Sequence, residues 1–71
     1  MNIIEMKDGS IVNAENVVAI RKRKELPEIE LGPAVIVDFT VGNHGMCLIN
    51  ECIDEHEQNA LMRKYKDALG I

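Results

Sequence analysis

The sequence predicts a small α+β fold: an antiparallel β-meander of about five short strands, then one C-terminal helix packed on one sheet face. Three observations carry this. Short β-branched runs separated by turn residues occupy residues 1–50, and the apolar period changes from two to about 3.6 after residue 54. Length is the third: 71 residues give room for one domain, read as 1–71. With one Phe, one Tyr and no Trp, its core must be built from Val, Ile, Leu and Met.

"NIIEM" reads as the first strand, and Asp8-Gly9 as a two-residue hairpin loop. That loop sets Met6 opposite Ile11 and Glu5 opposite Val12. Ile3 and Val12 then share one face, while Ile4, Met6 and Ile11 share the other. After a kink at Asn13–Asn16, "NVVAIRKRK" continues as a strand. Two prolines and a glycine make "ELPEIELGPA" a loop. "VIVDFTV" is the clearest strand, with Val35, Val37, Phe39 and Val41 on one face. "GNHG" reads as a four-residue turn and "MCLIN" as the return strand, setting Val41 opposite Met46 and Phe39 opposite Leu48.

The helix is predicted over about 55–69. Asp54 is its N-cap, with Glu57 completing a capping box, and Gly70 stops it. Ala60, Leu61, Tyr65, Ala68 and Leu69 form the apolar stripe, and Leu61 and Tyr65 are expected over Phe39 and Leu48.

One helix covers one sheet face. The other is expected to carry Ile36, Cys47 and Ile49, with Val17, Ala19 and Val12, which is more apolar surface than a solvated face needs. The expected cover is a second copy of the chain, through an interface at Ile36, Cys47, Ile49, Val17 and Ala19, or a protein partner. The alternative cover is the long loop, through Leu26, Ile29 and Leu31.

"GNHGMCLINECIDEH" gathers both histidines and both cysteines: His44, Cys47, Cys52 and His56. His-x2-Cys is a spacing zinc ligands use, so a zinc site at these four is the rival reading. Strand alternation opposes it, because Cys47 and Cys52 point to opposite sides. Cys52 near His56 before a helix N-terminus is the nucleophile version, yet Asp54, Glu55 and Glu57 around it raise a thiol pKa. No catalytic residue is assigned, and no cofactor is expected unless zinc binds.

The net charge of −4 gives no general attraction to nucleic acid. "RKRK" at 21–24 splits Arg21 and Arg23 from Lys22 and Lys24, and no aromatic interleaves with it. No apolar run reaches the roughly 20 residues of a membrane span. Neither a secretory pattern nor a disulfide framework is evident, so a cytoplasmic location is expected. The chain therefore reads as a non-enzymatic interaction or regulatory module.

Overall fold

A computed structural model describes residues 2–71. The strands are β1 (Ile3–Glu5), β2 (Ile11–Asn13), β3 (Val17–Arg23), β4 (Ala34–Val41) and β5 (His44–Glu51), followed by helix α1 (Glu55–Leu69). The α+β class and the meander order are those the sequence predicts. The strands form two antiparallel sheets, however: a β1-β2 hairpin and a three-stranded sheet ordered β3-β4-β5.

Both hairpin registers differ from expectation. Glu5 pairs with Ile11 and Ile4 with Val12. Gly9 N donates to Met6 O at 3.0 Å and Met6 N to Ser10 O at 2.7 Å, so the loop holds three residues, Lys7 to Gly9. Gly9 takes φ +91°, the left-handed residue that ends a type I turn of this length. The one-residue shift turns every side chain of one strand over. Ile4, Met6 and Val12 are consequently buried together, while Ile3 and Ile11 are exposed.

In the second hairpin the loop is Gly42–Asn43, and Val41 pairs with His44, Phe39 with Met46 and Val37 with Leu48. Gly42 at φ +60° occupies the first central position, where a type II′ turn needs glycine. This register differs by two residues from expectation, so the faces survive and only the partners change.

Asn13 and the turn Ala14–Asn16 provide the kink: a 3₁₀ turn whose first N–H groups include Glu15 N, donating to Asn13 Oδ1 at 3.0 Å. The long loop closes on itself. Leu26 N donates to Leu31 O at 2.7 Å and Leu31 N to Leu26 O at 3.1 Å, around a 3₁₀ turn at Pro27–Ile29. Ile29 is 67% exposed, so it is not the cover for a sheet face.

The core lies between the β3-β4-β5 sheet, the β1-β2 hairpin and α1. Ile4, Met6, Val12, Val35, Val37, Phe39, Cys52 and Tyr65 are buried there. Leu48, Leu61, Met62, Ala68 and Leu69 pack against them while remaining partly exposed. Tyr65, rather than Leu61, is the helix residue wholly inside.

The helix begins and ends as predicted. Glu57 N donates to Asp54 Oδ1 at 2.8 Å, and Gly70 takes φ +77°. Only half of the capping box forms, because the Glu57 carboxylate pairs with Lys7 instead. That ion pair holds the Lys7 ammonium above its ordinary pKa.

Candidate interaction face

The β3-β4-β5 sheet has one face under the helix and one turned away. Cross-strand partners share a face, so the register reads the outward face row by row. The first row is Arg23, Ala34 and Glu51; the second Arg21, Ile36 and Ile49; the third Ala19, Asp38 and Cys47; Thr40 and Gly45 follow.

The first row is closed by charge. Arg23 Nη2 meets Glu51 Oε2 at 2.6 Å and Nη1 meets Oε1 at 3.2 Å, joining the two neighbours of Ala34, which has no exposed surface. Arg23 Nη2 also donates to Gly32 O at 2.7 Å. One row on, Arg21 grips Asp38 through Nε to Oδ2 at 2.6 Å and Nη2 to Oδ1 at 3.1 Å. Those hydrogen bonds push the guanidinium pKa up. Ile36, between these pairs, is half-buried.

The arginines of the basic block are thus engaged by acids of the same face. Lys22, on the helix side, donates to Asn59 Oδ1 at 2.6 Å.

What remains open and apolar lies toward β5 and the start of β3. Ile49 is 53% exposed, Val18 68%, and Cys47 is exposed beside them. A shallow depression of about 500 Å³ runs between Val18, Asp38, Thr40, Gly45 and Cys47.

Of the five residues expected at an interface, Ile36, Ala19, Cys47 and Ile49 share this face. Val17 does not. The register shifts between Val17 and Ala19, so Val17 pairs with Phe39 and packs against the core while Ala19 pairs with Asp38. A β-bulge inserts one extra residue, and strict alternation across it fails. Val18 is that extra residue, and it takes the exposed place expected for Val17. Val12 is likewise buried in the core, for the register reason given above.

The four His and Cys residues are not brought together. His44 opens β5 and Cys52 follows its end, about 25 Å apart at strand rise. Cys47 is on the outward face; Cys52 is buried on the other side, its Sγ donating to Asn50 O at 3.6 Å. His56 is exposed in the first turn of α1. Among the described residues no three His, Cys, Asp or Glu side chains are grouped to hold a metal ion. Burial pushes the Cys52 thiol pKa up, with Glu57 and Glu51 adding to it.

Sequence reading missed a buried polar knot beneath the sheet. Asn50 Oδ1 accepts from Tyr65 Oη and from Lys7 N, each at 3.1 Å, and Nδ2 donates to Val35 O at 3.2 Å. Gln58 Nε2 donates to Ala34 O at 2.8 Å and to Arg23 O at 2.9 Å. The signals were present. Asn50 continues the alternation of Met46 and Leu48, and Gln58 stands one turn before Leu61 on the apolar stripe.

No helix among the described residues is long and apolar enough to cross a membrane. No family model, curated protein or solved structure matches the chain.

Proposed function

We propose that the chain is a non-enzymatic interaction module that associates with a second copy of itself through the outward side of its three-stranded sheet. The observation that carries this reading is the apolar set there: Val18, Cys47 and Ile49 exposed, with Ala19 and Ile36 half-buried. The helix and the β1-β2 hairpin both pack on the opposite side, and the long loop closes on itself. Exposed apolar residues gathered on one sheet face of a small domain mark an interaction site, here flanking the Arg21–Asp38 ion pair. Symmetric dimers are the commonest way to cover one, and a short chain with a thin core gains stability from association.

A non-enzymatic role fits the chemistry of Cys52. Its thiol is held up by burial, the reverse of what activates a nucleophile. A cytoplasmic location belongs to the same reading. Both cysteines are free, and they lie on opposite sides of the sheet, as suits a reducing compartment.

Sedimentation equilibrium on the wild type, Ile49→Lys and Ile36→Glu tests the proposal. The reading expects a wild-type dimer and folded monomeric variants. Variants that remain dimeric would move the interface off this side.

A further inference from the structure

We propose that β5 is a docking edge for a second copy of this chain: two β5 strands pair antiparallel about a two-fold axis at Cys47 and make one six-stranded sheet. This rests on the self-association proposed above but places its seam at the strand edge instead of across the sheet face.

Among the described residues, β5 ends the strand order and pairs only with β4. In an antiparallel ladder, alternate residue pairs exchange both backbone hydrogen bonds, and the residues between them turn their N–H and C=O away. The two-residue loop sets the phase. Val41–His44, Phe39–Met46, Val37–Leu48 and Val35–Asn50 are the bonded pairs. Cys52 N donating to Pro33 O at 2.9 Å continues that phase. Gly45, Cys47, Ile49 and Glu51 therefore direct their backbone groups to the open edge. The Glu51 carbonyl already accepts from Lys7 Nζ at 2.6 Å, so Lys7 closes that end. Among the described residues, the open run is Gly45, Cys47 and Ile49.

This run is symmetric about Cys47. An antiparallel pairing that uses all of it sets Cys47 against its own copy and Gly45 against Ile49, each pair exchanging two bonds.

The side chains fit that register. Ile49 of one copy lies beside Gly45 of the other, where a built Cβ meets nothing within 4 Å. On the helix side Met46, 51% exposed, comes beside Leu48 of the other copy and the core continues across the axis.

Charge selects this edge over the other. Free edges are ordinarily guarded by Lys, Pro or inward charges. β3 is guarded by Arg21, Lys22 and Arg23, and pairing it with its own copy would oppose like charges. Between His44 and Asn50, β5 has no Asp, Glu, Lys, Arg or Pro.

The test is amide hydrogen exchange of the full wild-type chain by NMR at high and low concentration, with light scattering in parallel. A Cys47→Pro variant accompanies it. The Cys47 N–H faces the open edge, so proline there removes no bond to β4. The expected result is a dimer whose Gly45, Cys47 and Ile49 amides exchange about tenfold or more slowly than in the dilute monomer, with Cys47→Pro folded and monomeric. A dimer whose three amides exchange fast at both concentrations would overturn edge pairing and leave self-association by the sheet face. A folded Cys47→Pro dimer would overturn it equally. A wild type that stays monomeric at every concentration would overturn both, and would turn the open edge toward a different polypeptide. Should Cys47→Pro unfold, the wild-type exchange alone decides.

Discussion

The Tyr65 hydroxyl donates to Asn50 Oδ1 at 3.1 Å inside the core, and the same oxygen accepts from Lys7 N at 3.1 Å. One side chain at the end of β5 thereby ties the helix and the first hairpin to the main sheet. Buried polar groups of this kind specify an arrangement because an unpaired alternative is costly.

Removing one member is therefore graded by what it leaves behind. Tyr65→Phe keeps the ring packing and deletes one donor, so it is expected to cost about 1 kcal/mol. On a domain of this size that lowers Tm by roughly 4–8 °C. Asn50→Ala leaves Lys7 N and the Tyr65 hydroxyl without their buried acceptor, each at about 1–3 kcal/mol. Stability near 5 kcal/mol would not survive the larger loss. Thermal melts followed by circular dichroism check both, and equal melting of the two variants would remove Asn50 from its central place.

The same burial pushes the Tyr65 pKa from its ordinary 10.0 up to about 12. Folding favours the protonated phenol, so this contribution is fully present below pH 10 and is lost as pH rises toward 12. Tyr65 is the only tyrosine and there is no tryptophan, so tyrosinate absorbance reports it alone. The expected titration is displaced above that of the urea-unfolded chain, and stability falls over the same interval. Coincident curves would place the hydroxyl in water.

Gly32 is predicted to be irreplaceable on steric grounds. A Cβ there would stand 2.8 Å from Cys52 O, a backbone atom fixed by the neighbouring Cys52 N to Pro33 O bond. Gly32→Ala should cost about 1–3 kcal/mol, as forced overpacking does. Denaturant unfolding measures it; an unchanged midpoint would mean the loop has room to move.

The cysteines should differ sharply toward a maleimide. Cys47 is exposed, whereas Cys52 is buried with its thiol pushed up. Mass spectrometry is expected to find modification first at Cys47, and at Cys52 only on unfolding. Equal rates would contradict the opposite placement of the two thiols.

These residues also show what was legible in the sequence. Strand alternation located β4 and β5, and capping chemistry at Asp54 and Gly70 bounded the helix within a residue. Those signals are local. The misplacements of Val12 and Val17 share a different cause. One extra residue, in the Lys7–Gly9 loop or at the Val18 bulge, inverts every face assignment beyond it, and hydrophobic pattern alone does not register an insertion between apolar neighbours. The roles of Asn50 and Gln58 are not legible locally because they depend on partners distant in the chain, Lys7 and Tyr65 for one and Arg23 and Ala34 for the other. The sequence predicts an apolar outward face, but the ion pair that closes its first row, Arg23 with Glu51 across Ala34, arises only from the three-strand register.

Self-association is tested most directly by the mass of the wild-type chain in solution. Light scattering on a size-exclusion column at tens of micromolar is expected to give twice the 8.0 kDa of one chain, falling toward that value on dilution. A mass of 8.0 kDa at every concentration would contradict the account.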